Sequence, residues 1–252
     1  MSEEREAGNG KQVIARAAAV LRALENQTQG LSLGQIAKAA ELPRTTVHRL
    51  IGALEAQQLV ISAADGIRLG PALARLAASA HTDVVGIARP FVEALGRRTR
   101  ETVDLCVFRG LHSISVEQYA CDQELRVVSP VGTAFASHCT AHGKALLAQL
   151  PTDELGTLLR GVKLEKRTPA TLSSLARLKD ELAQVREQGI AIDREEHARG
   201  VCGIGVALRS GLSERYAIAL AVPALRFDEQ FERLRASLLQ CQAEIEALLG
   251  AA

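Results

Sequence analysis

The stretch Leu42 to Gln57, LPRTTVHRLIGALEAQ, restricts the possible folds of this chain more than any other stretch. Four apolar side chains recur in it at i, i+3, i+4 and i+7, which is the spacing of one buried helix face. They are Val47, Leu50, Ile51 and Leu54. On the opposite face, hydrogen-bonding side chains crowd the N-terminal half and the C-terminal half is nearly bare. The pattern predicts an amphipathic helix with a polar N-terminal end.

Signals for two further helices come before it. Lys11 to Gln27 has apolar residues at helical spacing. Ser32 and Gln35 form a capping-box pattern, in which each side chain satisfies the backbone amide of the other residue, so a second helix begins there. Pro43 suits the first position of the third helix, because its missing N–H would have no partner at that position.

After the third helix the hydrophobic period changes from helical to strand-like. Leu59 to Ser62 and Ile67 to Leu69 are short apolar runs, and Asp65-Gly66 between them is a strong hairpin signal. Three helices followed by a hairpin are the plan of a winged helix-turn-helix. A recognition helix enters the DNA major groove by its N-terminal end, which explains where the polar side chains are concentrated.

Six residues are the expected DNA contacts. Arg49 and His48 are assigned to base edges, and Thr45 and Thr46 to hydroxyl contacts with phosphates. The charges of Arg44 and of Arg68 on the hairpin are assigned to phosphate neutralisation. Residues 11–80 hold eight basic and four acidic side chains although the net charge of the chain is only +1. The alternative is a three-helix protein-interaction module whose polar face is only solvated.

The composition excludes several other classes. No run of about 18 uncharged apolar residues is present, and the first ten residues are acidic and polar, so neither a membrane span nor a signal peptide is expected. The five cysteines are an odd number and widely scattered, which is typical of reduced thiols. We therefore expect a cytoplasmic protein without disulfides.

The rest of the chain mixes helical and strand-like runs and predicts an α+β domain with an antiparallel sheet. The expected organisation is a disordered N-terminus at 1–10, a winged helix-turn-helix at 11–70, an alanine-rich linker helix at 71–82 and a second domain at 83–252. The second domain is predicted to contain strands at 102–109, 112–119, 125–129, 201–208 and 216–222. Its predicted helices follow Asp83 and cover 140–149, 152–160, 173–188 and 228–249.

Three stretches resemble the IclR family of bacterial transcriptional regulators. LSLGQIAKAAELPRTTVHRLIGALEAQQLV with GIRLG is similar to the N-terminal domain of that family, and PVGTAFASHCTAHGKALLAQLP and IAIDREEHARGVCGIGVAL are similar to two segments of its C-terminal domain. The resemblance covers about residues 11–245. It implies a DNA-binding domain, a linker helix and a GAF-like or profilin-like α/β domain that binds an effector. It also implies a homodimer or homotetramer that represses or activates at a partly palindromic operator of double-stranded DNA.

The resemblance also implies an effector pocket on the concave face of the sheet. Its expected contacts are Gly132, Ala141, His142, Asp193, Val201, Gly203, Leu220 and Val222. Leu220 and Val222 stand where the best-known members have serine, and His142 stands where they have a small residue. The expected effector is therefore a small organic acid with a large apolar body, such as an aromatic carboxylate, and no cofactor is expected.

His138, Cys139 and His142 are the remaining residues with distinctive chemistry. Two imidazoles one helical turn apart beside a thiol are candidates for a metal site, which would make the regulator metal-responsive, but zinc needs about four ligands. A Cys139 nucleophile with a histidine base is the enzymatic alternative, and no orienting acid stands at a recognised spacing. Packing or ligand contact is the preferred role, so neither a bound metal nor catalysis is expected.

Overall fold

The computed structural model divides the chain into two compact units, residues 1–82 and 83–252, here named the N-terminal unit and the C-terminal unit. The structure describes the backbone of residues 2–25, 27, 29–79 and 83–250. Side chains are described for residues 12–25, 27, 29–73, 75–76 and 83–250.

The N-terminal unit is a winged helix-turn-helix, as predicted. Its elements are α1 Ser2–Ala23, α2 Leu33–Ala39, α3 Arg44–Ala56, β1 Val60–Ala63, β2 Gly66–Leu69 and α4 Pro71–Ser79. Helices α1, α2 and α3 pack with the hairpin around one apolar core. Helix α3 contributes to it the four side chains of its predicted buried face. Strands β1 and β2 pair antiparallel around Asp65-Gly66. The backbone amides of Leu31 and Ile67 donate to each other's carbonyls and tie the α1–α2 loop to the hairpin.

The helix boundaries differ from the predictions in small ways. The capping box of α2 is present, with Ser32 N donating to Gln35 Oε1 at 2.8 Å and Gln35 N donating to Ser32 Oγ at 3.4 Å. Pro43 is the N-cap of α3 rather than its first residue. The stretch 1–10, predicted to be disordered, is helical from Ser2, because its Glu, Arg and Ala residues favour helix although it has no apolar stripe. Residues 80–82 of the predicted linker helix lie outside the described residues.

The C-terminal unit is built on a single antiparallel sheet. Its helices are α5 Val84–Thr99, α6 Ala141–Ala148, α7 Thr152–Leu158, α8 Leu175–Gln188 and α9 Ala224–Leu249. Its strands are β3 Thr102–Arg109, β4 His112–Tyr119, β5 Ala134–Ala136, β6 Ala191–Arg194, β7 Val201–Leu208 and β8 Tyr216–Pro223. The strand order is β5-β4-β3-β8-β7-β6. A 3-10 turn, Ser137–Cys139, connects β5 to α6.

Alternate residues of the central strands enter different cores on the two faces of this sheet. On one face α5 and α9 pack against side chains such as Val103, Ile204 and Leu220. On the other face α6 packs, with α7 and α8, against a second core that includes Ala217. Because strand side chains alternate between faces, neighbouring residues of β3, β7 and β8 face different surroundings.

Two parts of the predicted sheet are wrong. The run 125–129 was predicted as a strand and instead forms an irregular loop, with Leu125 and Val128 at least half exposed; the third strand of the meander is β5. The short strand β6 was not predicted, because four residues are too few to show a hydrophobic alternation. Asp83 caps α5 as predicted, its Oδ1 accepting from Gly86 N at 2.9 Å, and α5 continues through Pro90.

Helix α6 lies directly on β7, and glycine makes this approach possible. A Cβ at position 205 would lie 2.9 Å from the carbonyl carbon of Ala141, closer than real Cβ contacts allow. A Cβ at position 203 would lie 3.2 Å from the Cβ of Ala141, a tight but less restrictive contact. Because these two positions of β7 have no side chain, the N-terminal end of α6 reaches the sheet surface.

Candidate nucleic-acid interface and ligand pocket

The exposed face of α3 carries the predicted DNA-contacting residues together. Arg44, Thr45, His48 and Arg49 are exposed, and Thr46 is half-buried. Farther along the helix, a Cβ at Gly52 would meet nothing within 4 Å, so the C-terminal half of this face is open surface. Such a face can approach the major groove with its polar N-terminal end and present no obstruction behind it.

The acidic residue of α3 is turned away from this polar end. The Glu55 Oε1 atom accepts a hydrogen bond from Ser62 N at 3.0 Å, so its carboxylate is held against the hairpin. Within α3 the basic side chains therefore stand at the N-terminal end and the carboxylate stands near the C-terminal end. This separation favours an approach of DNA phosphate to the N-terminal half of the helix.

Arg68 differs from the arginines of α3 because it already has a partner. Its guanidinium forms an ion pair with Asp65 at the tip of the same hairpin, and its Nε atom is buried without a hydrogen-bond partner. The Asp65 carboxylate competes with DNA phosphate for this charge. A phosphate contact by Arg68 therefore requires exchange of one anion for another.

We expect opposite effects from removing the two members of this pair. Arg68→Ala should weaken binding to all DNA sequences alike and reduce the slope of log K against log salt by about 0.9, the value of one released counterion. Asp65→Asn should strengthen binding alike for all sequences, since it frees the Arg68 charge. The measurement is binding to an operator and to an unrelated duplex over a salt series. A loss confined to one sequence would contradict the phosphate role.

A cavity of about 170 Å³ lies on the α6 face of the sheet in the C-terminal unit. Helix α6, strands β3, β7 and β8, the 125–129 loop and the turn after β6 all contribute to its wall. The lining residues are Asp104, Val127, Ser129, Phe135, Thr140, Ala141, His142, Asp193, His197, Ala198, Val201, Gly203, Ala219, Leu220 and Ala221. This volume is comparable to that of cavities that hold a benzene-sized molecule.

Six of the eight predicted effector contacts are among the residues that line this cavity. They are Ala141, His142, Asp193, Val201, Gly203 and Leu220. Gly132 is not among the lining residues; it stands in the turn before β5, where its amide donates to the Ser115 carbonyl at 2.8 Å and its φ of +94° suits glycine. Val222 is fully buried in the core on the α5 and α9 face.

The prediction for β8 selected the wrong face of the strand. The Leu220 side chain lies in the same core as Val222, so Leu220 can border the cavity only with its main chain. The β8 side chains on the α6 face belong to Ala219 and Ala221, which pair with Gly205 and Gly203 of β7. The size argument based on leucine and valine at these positions therefore does not apply to the cavity.

Several lining residues were not predicted as effector contacts. Asp104 could have been predicted from the sequence. A carboxylate in the middle of the apolar strand TVDLCVFR is unusual and indicates a functional role. His197 was not predicted, because a single histidine on a turn has no spacing that assigns it to a pocket. Phe135 and Ser129 could not be predicted as lining residues. They lie on a short strand and a loop, where no hydrophobic period shows which way a side chain faces.

Two neutral imidazoles flank Phe135 in the cavity. The ring centroids of His142 and His197 lie 5.0 and 5.4 Å from that of Phe135, both edge to face. His142 Nδ1 lies 2.7 Å from Ser113 Oγ. Burial, with a smaller contribution from His197, lowers the pKa of His142 to about 3, and burial also lowers the pKa of His197. At neutral pH both side chains are uncharged.

The cavity also contains two buried carboxyl groups. Asp193 Oδ1 accepts from the amides of Glu196 at 2.7 Å and His197 at 3.4 Å, which fixes the turn after β6. Asp104 Oδ1 accepts from Gln118 Nε2 at 2.6 Å. Burial raises the pKa of Asp193 to about 7 and that of Asp104 to about 6, although these hydrogen bonds act in the opposite direction.

The raised pKa of Asp193 predicts a pH-dependent stability. A carboxyl that binds its proton more tightly in the folded state makes the free energy of unfolding fall as pH rises from about 4 to about 7. Asp193→Asn should remove this contribution, so the stability of the variant relative to wild type should rise as pH increases from about 4 to about 7. Amide hydrogen exchange of β7 measures this. The exposed Asp180→Asn is the matched control, and parallel profiles for both variants would contradict the prediction.

Lys144 on α6 is fully buried beside the cavity wall. Its Nζ atom lies 2.5 Å from Glu196 Oε1 and 2.9 Å from Glu181 Oε1. Glu196 follows the turn that Asp193 holds, and its Oε2 atom is buried without a partner. The ion cluster therefore joins α6, which carries His142, to the turn that carries His197.

A larger depression of about 440 Å³ lies elsewhere in the C-terminal unit, between α6, α8 and α9. Its two arginines are engaged by the protein: Arg186 donates to the carbonyls of Ala148 and Leu150, and Arg209 pairs with Glu246. Among its described lining residues no buried side-chain atom lacks a partner. The smaller cavity is therefore the better candidate for a ligand site.

The His138, Cys139 and His142 side chains bond to different neighbours. His138 Nε2 lies 2.9 Å from the Glu165 carbonyl, and Cys139 Sγ donates to the Ala136 carbonyl at 3.6 Å. Within the described residues, no group of three or more His, Cys, Asp or Glu side chains is arranged to hold a metal ion. Burial raises the pKa of Cys139 to about 12, which disfavours the thiolate that a nucleophile requires.

None of the helices in the described part of the chain is both long enough and apolar enough to cross a membrane. A winged helix-turn-helix followed in the same chain by a second α+β unit defines the class of two-domain DNA-binding transcriptional regulators. The match to family models is specific within that class: residues 13–61 match the IclR helix-turn-helix domain and residues 76–247 match the bacterial transcriptional regulator IclR C-terminal domain. The chain belongs to the IclR family and is a DNA-binding transcriptional regulator.

Characterised relatives cover nearly the whole chain. The HTH-type transcriptional regulator TtgV of Pseudomonas putida is 40% identical over 245 residues, which are 96% of this chain and 93% of TtgV. The HTH-type transcriptional repressor AllR of Escherichia coli is 31% identical over 228 residues, 88% of this chain and 84% of AllR. Both names describe regulators of transcription and neither describes an enzyme.

Solved structures share the fold. A transcriptional regulator from Rhodococcus is 26% identical with a TM-score of 0.64, over 95% of this chain and 98% of that one. An IclR regulator from Silicibacter is 24% identical with a TM-score of 0.80, over 95% and 96%. An IclR homolog from Microbacterium hydrocarbonoxydans, complexed with 4-hydroxybenzoate, is 23% identical with a TM-score of 0.61, over 95% and 100%.

Proposed function

We propose that this regulator binds its operator through α3 and the hairpin, and that a small molecule in the cavity of the C-terminal unit changes its affinity for the operator. The observation that supports this most directly is the cavity itself, with buried polar groups in its wall. In the DNA-binding role, Arg49 and His48 read base edges, while Arg44, Thr45, Thr46 and Arg68 contact phosphates. The protein acts as a homodimer or homotetramer in the cytoplasm, because a two-fold operator requires two recognition helices.

The effector expected from the sequence is an organic acid with an apolar body. Phe135, Val127 and Val201 in the cavity wall support the apolar body. The acid group has no such support, since the residues described as lining the cavity include neither lysine nor arginine. We therefore retain an apolar body in the proposal but limit it to a small one, because the cavity measures only about 170 Å³, and 4-hydroxybenzoate, the ligand of the Microbacterium homolog, serves as the acid to be tested.

The proposal is tested in two steps with the full chain. A selection of genomic fragments with the purified protein should retain fragments that contain a partial palindrome. The affinity of a retained fragment is then measured against a panel of small apolar molecules. Retention of no fragment above the nonspecific background would favour the protein-interaction alternative and contradict the proposal.

Filling the cavity should separate the two activities. Ala221→Leu adds an isobutyl group on the α6 face of β8, where the alanine is half-buried at the cavity. It should raise the effector concentration needed for half response by at least about tenfold, with operator affinity unchanged. Ala236→Leu, on the exposed face of α9, is the matched control. An unaltered dose response for Ala221→Leu would show that the effector binds elsewhere.

A further inference from the structure

The two carboxyl groups of the cavity each have an oxygen that the protein leaves without a partner. Asp104 and Asp193 are 5% and 4% exposed. Their Oδ1 atoms accept the hydrogen bonds described above, from Gln118 and from the turn after β6. Among the described residues nothing donates to either Oδ2 atom. Because both residues line the cavity, a ligand inside it can donate a hydrogen bond to these oxygens.

The rest of the cavity wall supplies no positive charge. His142 is buried, His197 is half-buried and both are neutral, while Lys144, the lysine on α6, is paired with Glu181 and Glu196. A carboxylate ligand would enter a site of low dielectric that already contains two acidic groups, without a cation beside it. Burying an unpaired charge in this way is strongly unfavourable.

From this arrangement we infer that the effector is an uncharged molecule with a small apolar body and a hydroxyl or N–H group that donates to Asp104 or Asp193. The inference rests on the proposed function in one respect, namely that this cavity is the effector site. The apolar body packs against Phe135, Val127 and the two alanines of β8. An ammonium ligand would be attracted to either carboxyl group, but it fits less well than an alcohol, because it loses more hydration on entering a wall that is mostly apolar.

The first test compares ligands that differ only in their charged or polar group. Benzyl alcohol, benzylamine and benzoate form one matched series, and 2-naphthalenemethanol, 2-naphthalenemethylamine and 2-naphthoate form another. Binding to the full chain is measured by calorimetry at neutral pH. In each series with binding, the alcohol should bind at least about tenfold more tightly than the carboxylate and the amine. Tightest binding by a carboxylate or an amine overturns the inference, as does absence of binding by every member at about 1 mM.

The second test asks whether the two carboxyl groups cause the preference for an alcohol over a carboxylate. In Asp193→Asn and Asp104→Asn, an amide that can donate replaces a group that repels anions. The preference for alcohol over carboxylate should fall by at least about fivefold in one or both variants and remain unchanged in the exposed Asp180→Asn. Unchanged preference in both carboxamide variants would overturn the inference. Protection of the β7 amides from hydrogen exchange, compared with wild type, establishes that each variant is folded.

Operator binding in the same preparations separates this inference from the proposed function. If a carboxylate binds tightest and still shifts operator affinity, the proposed function stands and the ligand class is wrong. If an alcohol binds as expected but operator affinity does not respond to it, the ligand class stands and the proposed regulation is wrong.

Discussion

Replacement of Lys144 by methionine is expected to lower the free energy of unfolding of the C-terminal unit by about 3 to 5 kcal/mol. The Lys144 ammonium is fully buried between Glu196 and Glu181. Glu196 is itself largely buried, and burial already raises its pKa, an effect that the neighbouring lysine opposes. Without the lysine, the turn after β6 would hold a buried carboxylate with no compensating cation.

The cause of this loss can be isolated with a double variant. Lys144→Met with Glu196→Gln removes both buried charges, so it should recover most of the stability that Lys144→Met loses. Hydrogen exchange of the β7 amides reports the C-terminal unit separately from the DNA-binding unit. The exposed Lys179→Met on α8 should change stability by less than about 0.5 kcal/mol. Equal losses in the single and the double variant would show that packing of the lysine stem, and not charge, holds α6 in place.

The second large effect is expected in DNA recognition. Arg49→Ala should weaken operator binding by about 1 to 3 kcal/mol and relax the preference at one base position, if its guanidinium makes a bidentate contact with a guanine. Arg49 is exposed on the polar N-terminal half of α3, with no ion-pair partner among the described residues. It is therefore free to meet a base without exchanging an internal partner, unlike Arg68.

An operator panel with each base pair substituted in turn distinguishes base reading from charge. Arg22→Ala removes one positive charge from the exposed end of α1 and should leave the order of preference in the panel unchanged. Arg49→Lys keeps the charge but loses the planar fork, so it should relax the same position as Arg49→Ala. An unaltered order of preference for both Arg49 variants would exclude base reading by this residue.

The N-terminal unit was predictable because its signals are local. The capping box at Ser32, the apolar stripe of α3 and the Asp65-Gly66 turn each depend on residues within a few positions of one another. Local hydrogen bonds and one buried face are enough to define these elements. The ion pair between Arg68 and Asp65 was not predicted, although the two residues are close in sequence. Whether the arginine pairs with the aspartate or with solvent depends on the geometry of the folded hairpin.

The central strands of the C-terminal unit show where prediction from sequence ends. The strands at 102–109, 112–119 and 201–208 have the predicted bounds, since their apolar runs are long and flanked by turn residues. The run at 125–129 is equally apolar but remains a loop, because it pairs with no neighbouring strand. A strand forms only beside a neighbouring strand, and the sequence does not show which segments become neighbours.

By itself, the sequence determined the class of fold and the polar N-terminal end of α3, and the family resemblance predicted His142 and Asp193 as members of one site. Only the tertiary structure decided which face of β8 meets the cavity, where Ala219 and Ala221 stand in place of Leu220 and Val222. The physical reason is that β8 is buried on both faces, so its hydrophobic pattern carries no sign of which side holds a ligand. The packing of α6 on the glycines of β7 creates that distinction.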